Sequence, residues 1–65
     1  METIHSGRYI AEYSDRTAES LLVITRPKGG GKYITGEDAT EWAEHIRTAI
    51  DKSEANALCR AILES

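Results

Sequence analysis

The sequence predicts an α+β domain in which a three-stranded antiparallel β-meander is followed by two α-helices packed on one face of the sheet, in the order β-β-β-α-α. Three observations lead to this prediction. Alternating or β-branched apolar stretches fill the first half of the chain, up to Thr35. Apolar residues recur every three or four positions in the second half. Three consecutive glycines separate the last two predicted strands, as in a hairpin turn.

The first predicted strand runs from Thr3 to Tyr13. Its alternation places three residues on each face, with Tyr9, Ala11 and Tyr13 on one and Arg8, Ile10 and Glu12 on the other. The short polar stretch Ser14, Asp15 and Arg16 then predicts a turn, because such side chains bond readily to their own backbone.

The second predicted strand is the run from Leu21 to Thr25. Both of its faces are apolar, Leu22 and Ile24 against Leu21 and Val23, which is typical of a central strand covered on both sides. Pro27 cannot donate to a ladder and therefore ends the strand. Lys28 to Lys32 form a flexible hairpin tip, and Tyr33, Ile34 and Thr35 form a short third strand.

The first helix is predicted to start at an N-cap, Thr35 or Gly36, and to end near Ile50. Its apolar positions lie on one face: Ala39, Trp42, Ala43, Ile46, Ala49 and Ile50. Trp42 is the largest of them, and we expect its burial to anchor the helix. Asp51 and Lys52 then form a tight break between this helix and the next.

The second helix is predicted from Glu54 to about Leu63, with Ser53 as its N-cap. Its core positions are Ala55, Leu58, Cys59 and Ile62. Ala57 and Ala61 lie outside this stripe, where small side chains let another backbone approach. Helices on one sheet face leave half of the second strand uncovered, together with Tyr9 and Tyr13 or with Ile10, and such an apolar patch predicts a protein interface or a homodimer.

Composition indicates a single small domain over residues 1–65. A chain of this length buries only about 60% of its unfolded surface. Cys59 is the only cysteine, so no disulfide forms within the chain, and a lone thiol without a signal sequence points to a reducing compartment. No apolar run approaches the roughly 20 residues of a membrane span. We therefore expect a soluble, cytoplasmic protein.

Catalytic and metal chemistry are not expected. The soft ligand types are His5, His45 and Cys59, no two of which have the spacing of a metal site. A core cysteine on a helix also lacks the exposure and the cationic neighbour that a nucleophile needs. The chain is moreover too short to form the usual ligand pocket of a few hundred cubic ångströms. We expect no enzyme activity, no cofactor and no metal.

Charge is unevenly distributed along the chain, whose net charge is −3. Residues 1–35 carry five basic and four acidic side chains, whereas residues 36–65 carry three and seven. Four of these acids, which we expect to contact a basic surface of a protein partner, are Glu37, Glu41, Glu44 and Asp51. The leading hypothesis is a non-enzymatic interaction protein that binds and modulates or inhibits a larger protein or ribonucleoprotein complex. In style it resembles the compact inhibitors encoded by phages and mobile elements.

The alternative hypothesis is a small nucleic-acid-binding accessory protein. Its phosphate contacts would come from the basic glycine-rich hairpin 26–33, through Arg26, Lys28, Lys32 and Tyr33. This hairpin is not a Walker A loop, which needs a glycine at position 26 and Ser or Thr after the lysine. A helix-turn-helix is the least favoured hypothesis, because Arg60 is the only basic residue of the second helix.

Overall fold

The computed structural model describes residues 1–15 and 19–65 and confirms an α+β fold in which an antiparallel sheet is followed by two helices. Within these residues, the strands are β1 (Glu2–Ser6), β2 (Ile10–Ser14), β3 (Leu21–Thr25) and β4 (Gly31–Thr35), and the helices are α1 (Glu37–Arg47) and α2 (Lys52–Glu64). The strands pair in sequence order, β1-β2-β3-β4. Arg16, which was assigned to the turn after the first predicted strand, lies outside the described residues.

The prediction of three strands is wrong, because the described residues form four. The stretch from Thr3 to Tyr13 is a hairpin that turns at residues 7–9. A Cβ on Gly7 would lie 2.7 Å from Cε1 of His5, so a larger residue there would force the His5 ring to move. A β-bulge between Thr3 and His5 also shifts the register of β1 and lets Ile4 pack against the core.

The two faces of the sheet differ in burial, and the side chains of β3 show which face the helices cover. Leu22 and Ile24 are completely buried, whereas Leu21 and Val23 are only half-buried. Both helices contact β3 and β4, and α1 also contacts β1. The inner face therefore carries the helices, and the face of Leu21 and Val23, which we call the outer sheet face, is left open.

The core lies between the inner sheet face and the two helices. Its buried members are Ala11, Tyr13, Leu22, Ile24, Ala39, Ala43, Ile46, Cys59 and Ile62. Trp42 is only half-buried and packs at the edge of this cluster, with its ring 6.1 Å from that of His45. The small alanines of α1, rather than the Trp42 ring, allow close approach of helix and sheet.

Helix α1 ends at Arg47, one turn earlier than predicted. The hydroxyl of Thr48 donates to the carbonyl of Glu44 at 2.9 Å, and the amide of Ala49 reaches only three residues back, to Ile46. Ile50 consequently leaves the predicted core stripe and is 91% exposed. The amide of Thr48 also donates to the Glu44 carbonyl, at 3.0 Å, so the helical hydrogen bonds end at Thr48, earlier than the apolar periodicity predicted.

Helix α2 begins at Lys52, with Asp51 rather than Ser53 as its N-cap. The Asp51 carboxylate accepts from the amide of Glu54 at 2.8 Å, and the Glu54 carboxylate accepts from the amide of Ile50 at 2.8 Å. This reciprocal arrangement resembles a capping box and fixes the break between the helices. At the start of α1, Gly36 is the N-cap, one of the two residues predicted.

The turn between β3 and β4 is tight. Gly29 and Gly30 have φ of 95° and 73°, and the amide of Arg26 donates to the carbonyl of Gly30 at 2.8 Å. Gly31 is already in β4, paired with Thr25, so the predicted hairpin tip is shorter than Lys28 to Lys32. Among the described residues, no helix combines the length and the apolar character that crossing a membrane requires.

Candidate interaction surfaces

The outer sheet face is the first candidate surface. Register places Val23 beside Glu12 on one side and Tyr33 on the other, and it pairs Ile10 with Thr25. Tyr33 is 70% exposed and Ile10 is 44% exposed. Leu21 and Val23 complete an apolar patch with them. The structure thus assigns Ile10 to the open face, and places Tyr9 and Tyr13 on the helix-covered face.

Tyr13 is held on that covered face by polar contacts. Its hydroxyl lies 3.2 Å from the hydroxyls of both Ser20 and Thr40, and the Arg47 guanidinium lies over its ring at 5.1 Å from the centroid. Arg47 also donates to the Glu2 carboxylate at 3.0 Å. Tyr13 therefore serves the packing of α1 on the sheet and contributes nothing to the open surface.

The acidic face of α1 is the second candidate surface. Glu37, Glu41 and Glu44 lie on one side of the helix and are all exposed. Asp51 is separate from them, beyond the end of α1, where its carboxylate caps α2. The structure thus brings together three of the four acidic residues proposed to contact a partner, and gives the fourth a structural role.

The basic hairpin does not act as one unit. Arg26 and Lys28 line a groove at one end of the molecule. The ammonium of Lys32 instead donates to the carbonyl of Ser65 at 2.7 Å and to its hydroxyl at 3.1 Å. Tyr33 lies on the outer sheet face. The hairpin therefore does not bring the side chains of its four candidate residues to a common point. Their contact with nucleic acid stays a prediction.

The groove, which we call the end groove, is the third candidate surface. It measures about 700 Å³ and lies between the β1–β2 turn, the β3–β4 turn and the C-terminal half of α2. Four cations and one carboxylate line it together with three largely apolar side chains: Arg8, Arg26, Lys28 and Arg60, then Glu64, then Tyr9, Pro27 and Leu63. A concavity of this size was not expected in so short a chain, although it is an open groove rather than an enclosed pocket.

Asn56 attaches the β1–β2 turn to α2 and so shapes the end groove. Its side-chain oxygen accepts from Nε2 of His5 at 2.9 Å and from the backbone amide of Arg8 at 3.2 Å. Arg60 lies one helical turn after Asn56 and donates to Glu64 at 3.1 Å. That hydrogen bond and the charge of Glu64 raise the pKa of Arg60, with a smaller effect of Tyr9.

Sequence reasoning missed Arg8 and Asn56 as parts of a site, and it considered Tyr9 only for an apolar patch. The alternating pattern places Arg8 inside a continuous strand, and Asn56 is an isolated amide on a helix. The available indication was the Ser6-Gly7 pair, since a glycine inside an alternating stretch often marks a bend or a close backbone approach. A turn there would have directed Arg8 toward the end of the sheet.

The thiol and imidazole groups form no common site among the described residues. Cys59 is completely buried, and burial raises the pKa of its thiol to about 11. His45 is exposed on α1, and His5 is bonded to Asn56. Within residues 1–15 and 19–65, no three His, Cys, Asp or Glu side chains are grouped so that they could hold a metal ion.

Comparison of the chain with known protein families, with curated proteins and with solved structures finds no match. The candidate surfaces must therefore be judged by their own chemistry.

Proposed function

We propose that the protein is a non-enzymatic interaction protein that binds and modulates or inhibits a larger protein or ribonucleoprotein complex. The observation that carries the proposal is the open outer sheet face: both helices lie on the opposite side of the sheet. A two-layer fold normally leaves polar side chains on its solvent face. Here the central strand offers Leu21 and Val23, and its neighbours offer Ile10 and Tyr33.

The composition of this face suits a protein partner. An aromatic residue and β-branched residues at the centre of a surface are typical of binding interfaces, and a contiguous apolar patch on a small domain is costly to leave in water. Thr3, Ser14, Thr25 and Thr35 share the face by register and would form its polar margin. Glu12 lies beside Val23 on the same face, so a partner would meet apolar side chains next to one carboxylate, with hydroxyl groups at the margin.

The acidic face of α1 adds electrostatic selection. Three exposed carboxylates on one helix face repel each other slightly in the free protein, and a surface rich in Arg and Lys would relieve that repulsion. Such charges act mainly on the association rate and on the choice of partner. The proposal therefore assigns affinity to the outer sheet face and steering to Glu37, Glu41 and Glu44.

The test is affinity capture of partners from a cell lysate, followed by titration of each candidate against variants. Ile10→Ser combined with Tyr33→Ser should weaken binding at least tenfold. Ile50→Ser is the matched control, because Ile50 is even more exposed but does not lie on the sheet. Equal binding by the wild type and the Ile10/Tyr33 variant would refute the proposal for the outer sheet face.

The acidic face is tested by Glu41→Lys, with Asp38→Lys as its control. Both residues are exposed on α1 and both substitutions change the charge by two units, but Asp38 lies to the side of the acidic face. We expect Glu41→Lys to slow association severalfold at low salt and Asp38→Lys to change it much less. Equal effects would show that only net charge matters.

A homodimer through the outer sheet face is the other arrangement to be distinguished. Sedimentation equilibrium over a range of concentrations gives the mass directly. A dimer that dissociates in the Ile10/Tyr33 variant would make a second copy the partner and replace the proposal of a different protein. A monomeric wild type leaves the face free for another protein.

A further inference from the structure

The end groove has no role in the proposed function, and its chemistry is different. Three guanidinium groups and one ammonium group face one carboxylate, on a chain that is acidic overall. Among the described residues, the ion pairs are Arg47 with Glu2 and Arg60 with Glu64. Within this part of the chain, Arg8, Arg26 and Lys28 therefore have no carboxylate partner, and the groove carries a local excess of positive charge.

Hydrogen bonds fix the backbone on two sides of the groove, while the side chains of Arg8, Arg26 and Lys28 are exposed. Asn56 holds the backbone of Arg8 against α2. Across the groove, two backbone hydrogen bonds close the β3–β4 turn, from Arg26 to Gly30 at 2.8 Å and from Gly29 to Arg26 at 3.1 Å. A site on fixed backbone loses less conformational entropy when a ligand binds.

The guanidinium groups favour a ligand with planar or tetrahedral oxyanions. Arginine forms paired hydrogen bonds to phosphate and carboxylate, and these are roughly twice as strong as neutral ones. The four cations of the groove carry more positive charge than one carboxylate of a ligand would neutralise. A chain of two or three phosphates matches that charge within a short length.

The uncharged part of the lining favours a nucleoside attached to those phosphates. Tyr9 and Leu63 pack against the core and are half-buried, with their remaining surface lining the groove, and Pro27 beside them is exposed. An aromatic ring and aliphatic carbon beside cations present the stacking surface that a base uses. The volume of about 700 Å³ lies within the range of small-ligand sites.

A compact ligand fits the charge distribution better than a long polyanion. The chain carries eight basic and eleven acidic side chains, and four of the basic ones line the groove, so an extended nucleic acid would meet repulsion beyond it. We infer that the end groove is a binding site for a nucleoside di- or triphosphate, with the phosphates on Arg8, Arg26, Lys28 and Arg60 and the base against Tyr9 and Leu63.

The test is titration of the ¹⁵N-labelled full chain with ATP, with inorganic triphosphate, with adenosine, with a hexaglutamate peptide and with an oligothymidylate. ATP should shift the amide signals of residues 7–9, 26–30 and 60–64 first. It should bind at least tenfold more tightly than either triphosphate or adenosine alone, because only ATP uses both parts of the groove.

Arg8→Gln combined with Arg60→Gln should weaken ATP binding at least tenfold, and Arg26→Gln combined with Lys28→Gln should have a similar effect. Arg47→Gln is the control, because Arg47 lies outside the groove. The groove arginines are exposed, so the variants should keep the wild-type circular dichroism spectrum.

Four results would overturn the inference. They are ATP-induced shifts centred elsewhere, unchanged ATP affinity in both groove variants, triphosphate binding as tight as ATP, and tighter binding of hexaglutamate or oligothymidylate than of ATP. Because no residue of the outer sheet face is altered, failure here leaves the proposed protein interaction standing, and the reverse also holds.

Discussion

His5 donates from Nε2 to the side-chain oxygen of Asn56 at 2.9 Å, and this single contact connects residues that are 51 positions apart. The same oxygen accepts from the amide of Arg8. One amide side chain on α2 thus holds the first hairpin in place, and Gly7 leaves the room for it, because a Cβ there would come within 3.1 Å of that oxygen.

Replacing Asn56 by Ala should therefore destabilise the protein by roughly 1 to 2 kcal/mol, because two hydrogen bonds to its oxygen are lost. Urea unfolding measures the change. Hydrogen exchange of the Arg8 amide should accelerate more than that of the β3 amides. In a double-mutant cycle with His5→Ala, the coupling free energy should be about 0.5 to 1.5 kcal/mol. Zero coupling would contradict a direct contact.

Gly31 should be far less replaceable than Gly29, although both belong to the same glycine run. A Cβ on Gly31 would clash with the carbonyl oxygen of Ile24, which is backbone and cannot turn away. Gly29 has open space around it and a left-handed backbone that asparagine tolerates. We expect Gly31→Ala to cost roughly 2 to 3 kcal/mol and Gly29→Asn about 0.5 kcal/mol. Thermal unfolding of both variants checks the difference, and equal losses would contradict it.

Asp51 should matter more to α2 than Ser53 does. Replacing Asp51 by Ala removes the carboxylate that caps the helix and should cost about 1 kcal/mol. Ser53 lies inside the first turn, so Ser53→Ala should change stability by less than about 0.5 kcal/mol. The pair of variants is compared by chemical denaturation. The opposite ranking would restore Ser53 as the cap.

The buried thiol of Cys59 should be unreactive at neutral pH. Its pKa is raised from 9.0 to about 11, so the folded protein holds the thiol proton more tightly than the unfolded chain does. This contribution to stability is fully present below pH 9 and is lost as the pH rises through about 11, by roughly 3 kcal/mol in total.

Reaction with a disulfide reagent at pH 8, with and without urea, measures the protection of Cys59, and unfolding should accelerate labelling at least a hundredfold. Cys59→Ala should lose less stability than the wild type between pH 9 and pH 11. Parallel losses in the two proteins would mean that other groups dominate at high pH.

The helices were predicted well because their signal is local and redundant. Ala39, Ala43 and Ile46 repeat at helical spacing and are buried, as are Ala55 and Cys59 in α2. Periodicity does not, however, show where each helix ends. The start of α2 is fixed by the carboxylate of Asp51, through a hydrogen bond to the amide of Glu54 that helical spacing does not indicate.

The sheet was predicted only in part. Tyr9 lies in the turn and Ala11 lies in β2, but the two residues are two positions apart and both are apolar. The alternating pattern therefore continues through the turn at residues 7–9 and does not reveal it. The choice of the covered face also depended on long-range packing, because Leu21 and Leu22 are equally apolar. The structure resolves both points through register and burial.

The end groove was beyond prediction because its residues come from distant parts of the chain. Arg8, Arg26 and Arg60 are brought together by two hairpin turns at one end of the sheet and by the path of α2. The acidic face of α1, in contrast, could be predicted as far as Glu44, since it is set by helical geometry alone.

Tyr9 and Ile10 are neighbours in the chain, yet Tyr9 lines the end groove and Ile10 belongs to the outer sheet face. A movement of this short segment would therefore change the end groove and the outer sheet face together. If a nucleotide in the end groove changes the orientation of Tyr9 and Ile10, it changes the affinity of the outer sheet face for a protein partner by some factor. Binding of that partner must then change the nucleotide affinity by the same factor. Such reciprocity would couple the two binding sites of this domain allosterically.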